Sequence, residues 1–300
     1  MRPDRPVVLG VIGDSGSGKS TLISGVGWLL AGARVTDLCL DDYHRYDRAE
    51  RSRRALTALH PDCNRLDVMG DHLRRIRRGE SVTKPVYDHR TGTFGPDEVL
   101  SPGDYVLVHG LLGLHDSSLE RCYDLTVFLD PDPDLRIRWK LQRDISRRGY
   151  SEARVRAQLE HRMADVERYV RPQRERADIV VRFVPAEGMP PTAHITLGAR
   201  SPVAVKGLLR TVCERVASPT IRLCDDETML EIDGEISDCA THAAVHALAE
   251  RLPGDPEARA THLGTVIEGT AERHSNTLAV AQMVVTSMLL AAAARAATPA

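Results

Sequence analysis

Along residues 1–185, short apolar runs rich in β-branched residues alternate with longer stretches in which apolar positions recur every three or four residues. The runs at 7–12, 35–40, 105–109, 125–129 and 179–183 predict strands, and the stretches at 19–30, 68–78, 133–148 and 151–170 predict helices. Strands that alternate with helices imply a parallel sheet with crossover helices. Residues 185–191 hold Pro185, Gly188, Pro190 and Pro191 and predict a boundary between units 1–185 and 186–300. Beyond it, strands at 194–198, 220–223 and 229–232, then helices at 239–251 and 275–294, predict a smaller α+β extension packed on the sheet edge. The apolar tail at 278–294 is Ala-rich and interrupted by Gln282, Thr286 and Ser287, which favours a packed helix over a membrane span.

Composition narrows the class. With 42% hydrophobic and 27% charged residues in 300, the chain can bury a core and has no signature of disorder. A net charge of −2 argues against a surface built for nucleic acid. The charge is unevenly divided, +3 over residues 1–185 and −5 over 186–300, so an anionic ligand is expected on the first part. Six cysteines show neither a C-x-x-C pair nor zinc-type spacing with His. With a charged N-terminal segment unlike a signal peptide, they lead to the expectation of a reduced, cytoplasmic chain with no zinc site and no membrane partner.

Gly13-Asp14-Ser15-Gly16-Ser17-Gly18-Lys19-Ser20, followed by Thr21, fits G-x-x-x-x-G-K-[ST] between a strand and a helix. Backbone N–H groups of such a loop, with the positive end of the following helix, cradle nucleotide phosphates. Lys19 would reach the β- and γ-phosphates, and Ser20 would offer its hydroxyl to Mg²⁺. The fold class is therefore α/β, a P-loop NTPase core with a mainly parallel sheet flanked by helices, plus the extension.

The second strand runs into Cys39-Leu-Asp41-Asp42-Tyr-His44-Arg-Tyr-Asp47-Arg48. Carboxylates at the carboxyl end of a parallel strand stand where such sheets bind ligands. Asp41 can accept a proton from an attacking hydroxyl, and His44 and Arg48 can hold an anionic acceptor. Asp42 or Asp47 taken alone also suits a solvated turn. Farther on, Lys140, Arg143, Asp144, Arg147 and Arg148 recur at helical spacing before Gly149, a patch able to close over a transferring phosphate. Arg147 reads better as a solvated residue.

These segments, with K-P-V-Y-D-H-R-T-G at 84–92 and Y-V-R-P-Q-R-E-R-A-D-I at 169–179, resemble the phosphoribulokinases, in a wider group with uridine kinase and pantothenate kinase. M-L-E-I-D-G-E and H-S-N-T-L in the tail extend the likeness. The resemblance implies Mg²⁺-dependent transfer of the ATP γ-phosphoryl group to ribulose 5-phosphate, giving ribulose 1,5-bisphosphate in the carbon-fixing pentose cycle. It implies Asp41 as general base and a ligand of Mg²⁺ with Ser20. His44, Arg48, Tyr87, His89 and Lys140 would hold the sugar phosphate. Lys19, Arg143, Asp144 and Arg148 would serve catalysis from the loop and lid, and Arg162 would serve the nucleotide. A homodimer is expected on the same ground.

Two positions depart from the family. His109 stands where the family carries an acid that supports Mg²⁺, and imidazole is a poor ligand for a hard cation. Three consequences stay open: metal held by Ser20, Asp41 and the phosphates; slow turnover; or a degenerate nucleotide-binding regulatory protein. Ser17 replaces the loop cysteine of plant-type relatives, so a loop disulfide with Cys39 cannot form; Cys39 reads as a buried strand residue. A uridine-type kinase is the enzymatic alternative, and the scarcity of aromatic residues, 3 Phe and 2 Trp, argues against a base pocket.

Overall fold

Strand β1 (Val7–Gly13) alternates its side chains between two cores: Val7, Leu9 and Val11 enter one and Val8 and Ile12 the other. A strand buried on both faces belongs at the centre of a parallel sheet. The computed structural model describes residues 3–186, 189–198, 203–249, 261–268 and 271–296. After β1 come α1 (Lys19–Leu29), β2 (Val35–Cys39), α2 (Arg48–Arg53) and α3 (Leu66–Arg77). Short β3 (Val82–Lys84), β4 (Tyr87–Asp88), β5 (Thr93–Phe94) and β6 (Glu98–Leu100) pair as β3 with β6 and β4 with β5. The chain returns to the sheet with β7 (Tyr105–Gly110), then α4 (Ser117–Glu120), β8 (Leu125–Leu129), α5 (Pro133–Arg148), α6 (Glu152–Asp165) and β9 (Ile179–Ala186). Strands β2, β7, β1, β8 and β9 are parallel neighbours in that order.

The sheet does not stop at the proline-rich stretch. Strand β10 (Met189–Leu197) pairs antiparallel with β9, and beyond α7 (Val203–Val216) the strands β11 (Ile221–Cys224) and β12 (Met229–Ile232) complete eight strands. Glu187 and Gly188, at the predicted boundary, lie outside the described residues. Helix α8 (Asp238–Ala249) matches the stretch predicted at 239–251, whose last two residues are also outside. A hairpin of β13 (Thr265–Glu268) and β14 (Ala271–His274) precedes α9 (Asn276–Ala296).

Helix α9 is long and apolar enough to cross a membrane, yet 78% of its most apolar window is buried inside the fold. Its Leu278, Val280, Met283 and Val284 share one core with Leu22 and Val26 of α1 and with residues of α7 and α8. The tail therefore covers the same face of the sheet as α1. The helix predicted over 151–170 ends at Asp165 and gives way to a π-helical turn, Val166–Val170, just before Pro172, which no regular helix accepts in its interior.

Candidate active site

The loop from Gly13 to Ser20 turns the chain from β1 into α1 through two left-handed glycines, Gly16 (φ 85°) and Gly18 (φ 94°). A Cβ on Gly16 would stand 2.8 Å from the Lys140 Cβ, so the loop lies directly on α5. Lys19 Nζ donates to the carbonyls of Gly13 and Asp14, both at 2.8 Å. Burial lowers its pKa to about 8 against the pull of Asp41 and Asp14. The Asp14 carboxylate receives Arg136 at 2.7 Å, Arg162 at 3.3 Å and the Ser15 N–H at 2.6 Å. Burial would raise its pKa, but the two arginines outweigh it and keep the carboxyl below the usual range. Asp14 thus braces the loop. Ser17 Oγ and Arg162 Nε are buried and have no hydrogen-bond partner, which suits a loop meant to bind oxyanions. Ser20 is exposed on the cleft, and the Thr21 carbonyl is taken by Gln282 Nε2 at 2.9 Å.

Beyond β2 a 3₁₀ turn, Leu40–Tyr43, sends its two carboxylates different ways. Asp41 is half-buried, with Oδ2 3.4 Å from His89 Nε2. Burial acts to raise its pKa, but attraction from the imidazoles of His44 and His89 as they protonate, and from the Lys19 ammonium, more than compensates, so the carboxyl lies below its usual range and is ionised at neutral pH, where His44 itself is uncharged. Asp42 is spent on structure: Oδ2 pairs with Lys84 Nζ at 2.6 Å and Oδ1 accepts the Tyr87 N–H at 2.8 Å. Asp47 closes a capping box with Glu50 at the start of α2.

His44 departs from the cationic role expected of it. Burial, its largest influence, lowers its pKa to about 4, so the ring is neutral. Asn64 Nδ2 donates to the carbonyls of Ala58 and His60, which turns Asn64 Oδ1 toward His44 Nδ1 at 2.9 Å. Nδ1 then carries the hydrogen and Nε2 is an acceptor. His44 offers a hydrogen bond and no charge. Arg48 spans the 89–92 turn, donating to the carbonyls of His89 and Thr91. The sequence reading missed Arg51, three residues on, whose buried guanidinium donates to Tyr87 Oη and the Tyr46 carbonyl, each at 2.7 Å. The capping box, which sets Arg48 and Arg51 one helical turn apart, was the available signal. Tyr87 is buried, and its ring meets His44 and His89 edge-on.

On α5, Asp144 is 0% exposed and receives Lys140 Nζ at 2.6 Å, Arg143 Nε at 2.9 Å and Arg148 at 3.4 Å. It does not line the cleft, so the expected catalytic role becomes a positioning one. Lys140, expected on the acceptor side, is 2% exposed and lies under Gly16 with its ammonium committed to Asp144. Arg143 reaches across to Ser15 Oγ at 3.2 Å. Arg147 is exposed at the rim. Arg136, also missed, is four residues before Lys140 on the same helical face.

His109, near the end of β7, directs Nε2 to Asp37 Oδ1 on β2 at 3.4 Å and pairs in register with Cys39. Burial, then the neighbouring Asp41 and Asp42, push the Cys39 thiol well above its ordinary pKa. All six cysteines are free.

Lys19, Asp41, His44, Arg48, Arg51, His89, Arg143 and Arg148 line one cleft of about 1940 Å³. The tail contributes to its wall. His262 stacks on Trp28 of α1 at 4.1 Å, and Thr265, Arg273, His274 and Asn276 line the same space, although every residue expected to bind nucleotide or acceptor lies before 186.

Residues 8–190 match the model of the "Phosphoribulokinase / Uridine kinase family". The phosphoribulokinase of Synechocystis sp. is 38% identical over 182 residues, 61% of this chain and 55% of that one. The uridine kinase of Leuconostoc citreum is 33% identical over 59% of this chain and 87% of its own. The chain thus spans about half the length of the curated phosphoribulokinases it matches. Among solved structures, phosphoribulokinase from Rhodobacter spheroides shares the fold at a TM-score of 0.63 and 20% identity, over 82% of this chain and 97% of that one.

Proposed function

Because the chain belongs to the phosphoribulokinase / uridine kinase family, we propose that it transfers the γ-phosphoryl group of ATP to a hydroxyl of ribulose 5-phosphate, forming ribulose 1,5-bisphosphate. The observation that carries this reading is the ionised Asp41 in a cleft that also holds Lys19, Arg48, Arg51, Arg143 and Arg148. A carboxylate there can take the proton of the attacking hydroxyl. An acceptor that already bears a phosphate needs cations of its own, and Arg48 and Arg51 stand on the Tyr87 side of the cleft, away from the loop. A neutral nucleoside would bring no anion to their two positive charges.

In this reading Lys19 exchanges its two loop carbonyls for phosphate oxygens. Arg143 and Arg148, held by Asp144, face the charge that develops during transfer. Neutral His44 accepts a hydrogen bond from a sugar hydroxyl through Nε2, and Tyr87 and His89 shape the same side. Ser20 and Asp41 are the oxygen donors suited to Mg²⁺, which would offset phosphate charge when bound. His109 brings no negative charge to the position where the family has an acid, and this favours a second reading, a nucleotide-binding protein of weak or no turnover.

A coupled ADP-release assay with ribulose 5-phosphate, with uridine and with no acceptor, over a range of Mg²⁺ concentrations, separates the readings. Turnover confined to ribulose 5-phosphate supports the first. Turnover with uridine would replace it by a nucleoside kinase, and ATP binding without turnover on any acceptor by the regulatory protein.

A further inference from the structure

Cys39, Asp41 and His89 come from three different places in the fold: the end of β2, the 3₁₀ turn after it, and the turn after β4. Their ligand atoms nevertheless lie within 4.8 Å of one another, and all three side chains line the cleft. We propose that this triad is a binding site for a zinc-like divalent cation, distinct in chemistry from the Mg²⁺ of the kinase reaction, and that its occupation shuts the active site.

The geometry is close to what such an ion needs. Tetrahedral zinc, with bonds of about 2.0–2.3 Å to nitrogen, oxygen and sulfur, sets neighbouring ligand atoms about 3.3–3.6 Å apart. Asp41 Oδ2 and His89 Nε2 already stand 3.4 Å apart. The widest pair must close by roughly 1 Å, within the range of ordinary side-chain torsions. The thiol proton leaves to solvent as the metal–sulfur bond forms. His109, opposite Cys39 in the sheet, is turned to Asp37 and stays outside the set.

One sulfur, one imidazole nitrogen and one carboxylate form a borderline-soft set that zinc accepts and Mg²⁺, which demands octahedral oxygen, does not. A metal held there occupies the Asp41 carboxylate, and with it the proposed proton acceptor. Spacing along the chain does not reveal the site, because His89 joins Cys39 and Asp41 only in the tertiary structure. Inhibition rests on the kinase reading; binding does not.

The test has two arms. In the first, the full chain is titrated with Co²⁺ in Mg²⁺-free buffer, and Zn²⁺ is then added. A thiolate-to-cobalt charge-transfer band with the intense visible bands of four-coordination, displaced by one equivalent of Zn²⁺, is expected. Cys39→Ser should abolish the charge-transfer band, and His89→Asn should weaken Co²⁺ binding by at least the roughly tenfold that losing even an outer-shell partner costs. Cys239→Ser, at an exposed position, should leave the spectrum unchanged. A wild-type spectrum without the thiolate band, or a band that survives in Cys39→Ser, overturns the proposal whatever the enzyme's activity. In the second arm, Zn²⁺ should inhibit turnover at saturating Mg²⁺ and ATP, with reversal by a chelator and at least about tenfold less sensitivity in Cys39→Ser relative to that variant's own uninhibited rate. Equal sensitivity of wild type and Cys39→Ser would overturn the regulatory claim. If no acceptor supports turnover, the kinase reading fails while the cobalt titration still decides the site.

Discussion

Lys140 and Asp144 form a buried ion pair, Nζ to Oδ2 at 2.6 Å, one turn apart on α5 and directly beneath the phosphate loop. Asp144 also anchors Arg143 and Arg148, so it gathers three cations on one carboxylate. Removing its charge leaves a buried ammonium without compensation. Asp144→Asn should cost about 3–5 kcal/mol of stability in chemical denaturation. It should also lower turnover by releasing the two arginines. Arg147→Ala, on the exposed face of the same helix, should change stability by no more than about 0.5 kcal/mol.

Asp41 is the group on which the proposed chemistry turns. Asp41→Asn should reduce turnover by roughly 10²–10⁴-fold, the usual yield of a general base, while ATP affinity measured without Mg²⁺ is kept. Loss of both in parallel would assign Asp41 to nucleotide binding instead.

Lys19 predicts a pH dependence of nucleotide binding. Burial leaves its ammonium titrating at about 8 in the free protein, and a bound phosphate stabilises the charged form. Affinity should therefore be full below that pH and fall above it by up to about tenfold per unit, with proton uptake on binding visible by calorimetry in buffers of different ionisation enthalpy. Lys19→Arg, which stays protonated, should flatten the profile. A profile equally steep in that variant would assign the proton to Lys140, which also titrates at about 8, lowered by burial.

His109→Glu would restore a carboxylate at the end of β7. The Mg²⁺ concentration needed for half-maximal turnover should fall, or turnover rise. Because Asp37 stands 3.4 Å from the imidazole, the new carboxylate would meet a like charge, and adding Asp37→Asn should increase the gain. No change in either quantity would show that His109 does not limit the reaction.

Gly25 of α1 carries the contact with α9: a Cβ there would land on the Gln282 side-chain amide. Gly25→Ala should cost about 1–3 kcal/mol through overpacking and weaken ATP binding, because Gln282 also holds the Thr21 carbonyl beside the loop. Differential scanning fluorimetry with and without ATP measures both effects.

The parallel core was legible because its inner strands are apolar runs of the right length, with the mixed β2 at the sheet edge, and the phosphate loop because its glycines and Lys19 are contiguous. The two acids of Asp41-Asp42 could not be told apart by sequence: what separates them is Lys84 and the Tyr87 N–H, over 40 residues away. Burial likewise cannot be read from residue type, and it is burial that neutralises His44, withdraws Asp144 from the cleft and ties the Lys140 ammonium to that carboxylate. Helix α7 was missed although Val205, Leu208, Leu209, Val212, Cys213 and Val216 recur at helical spacing, whereas β14 of the hairpin, exposed along its length, carries no alternation. The part of the tail in the cleft wall went unseen because His262 meets Trp28 only through the tertiary fold.

The bond between Gln282 and the Thr21 carbonyl joins residues 261 apart in sequence. During synthesis, α1 emerges early, but the helix that covers its outer face leaves the ribosome only after nearly all of the sheet has been made. Closing so distant a contact is slow compared with forming the local βα units. The nucleotide site therefore acquires its outer wall last, and a nascent or truncated chain that ends before α9 carries the phosphate loop on a helix with an uncovered apolar face.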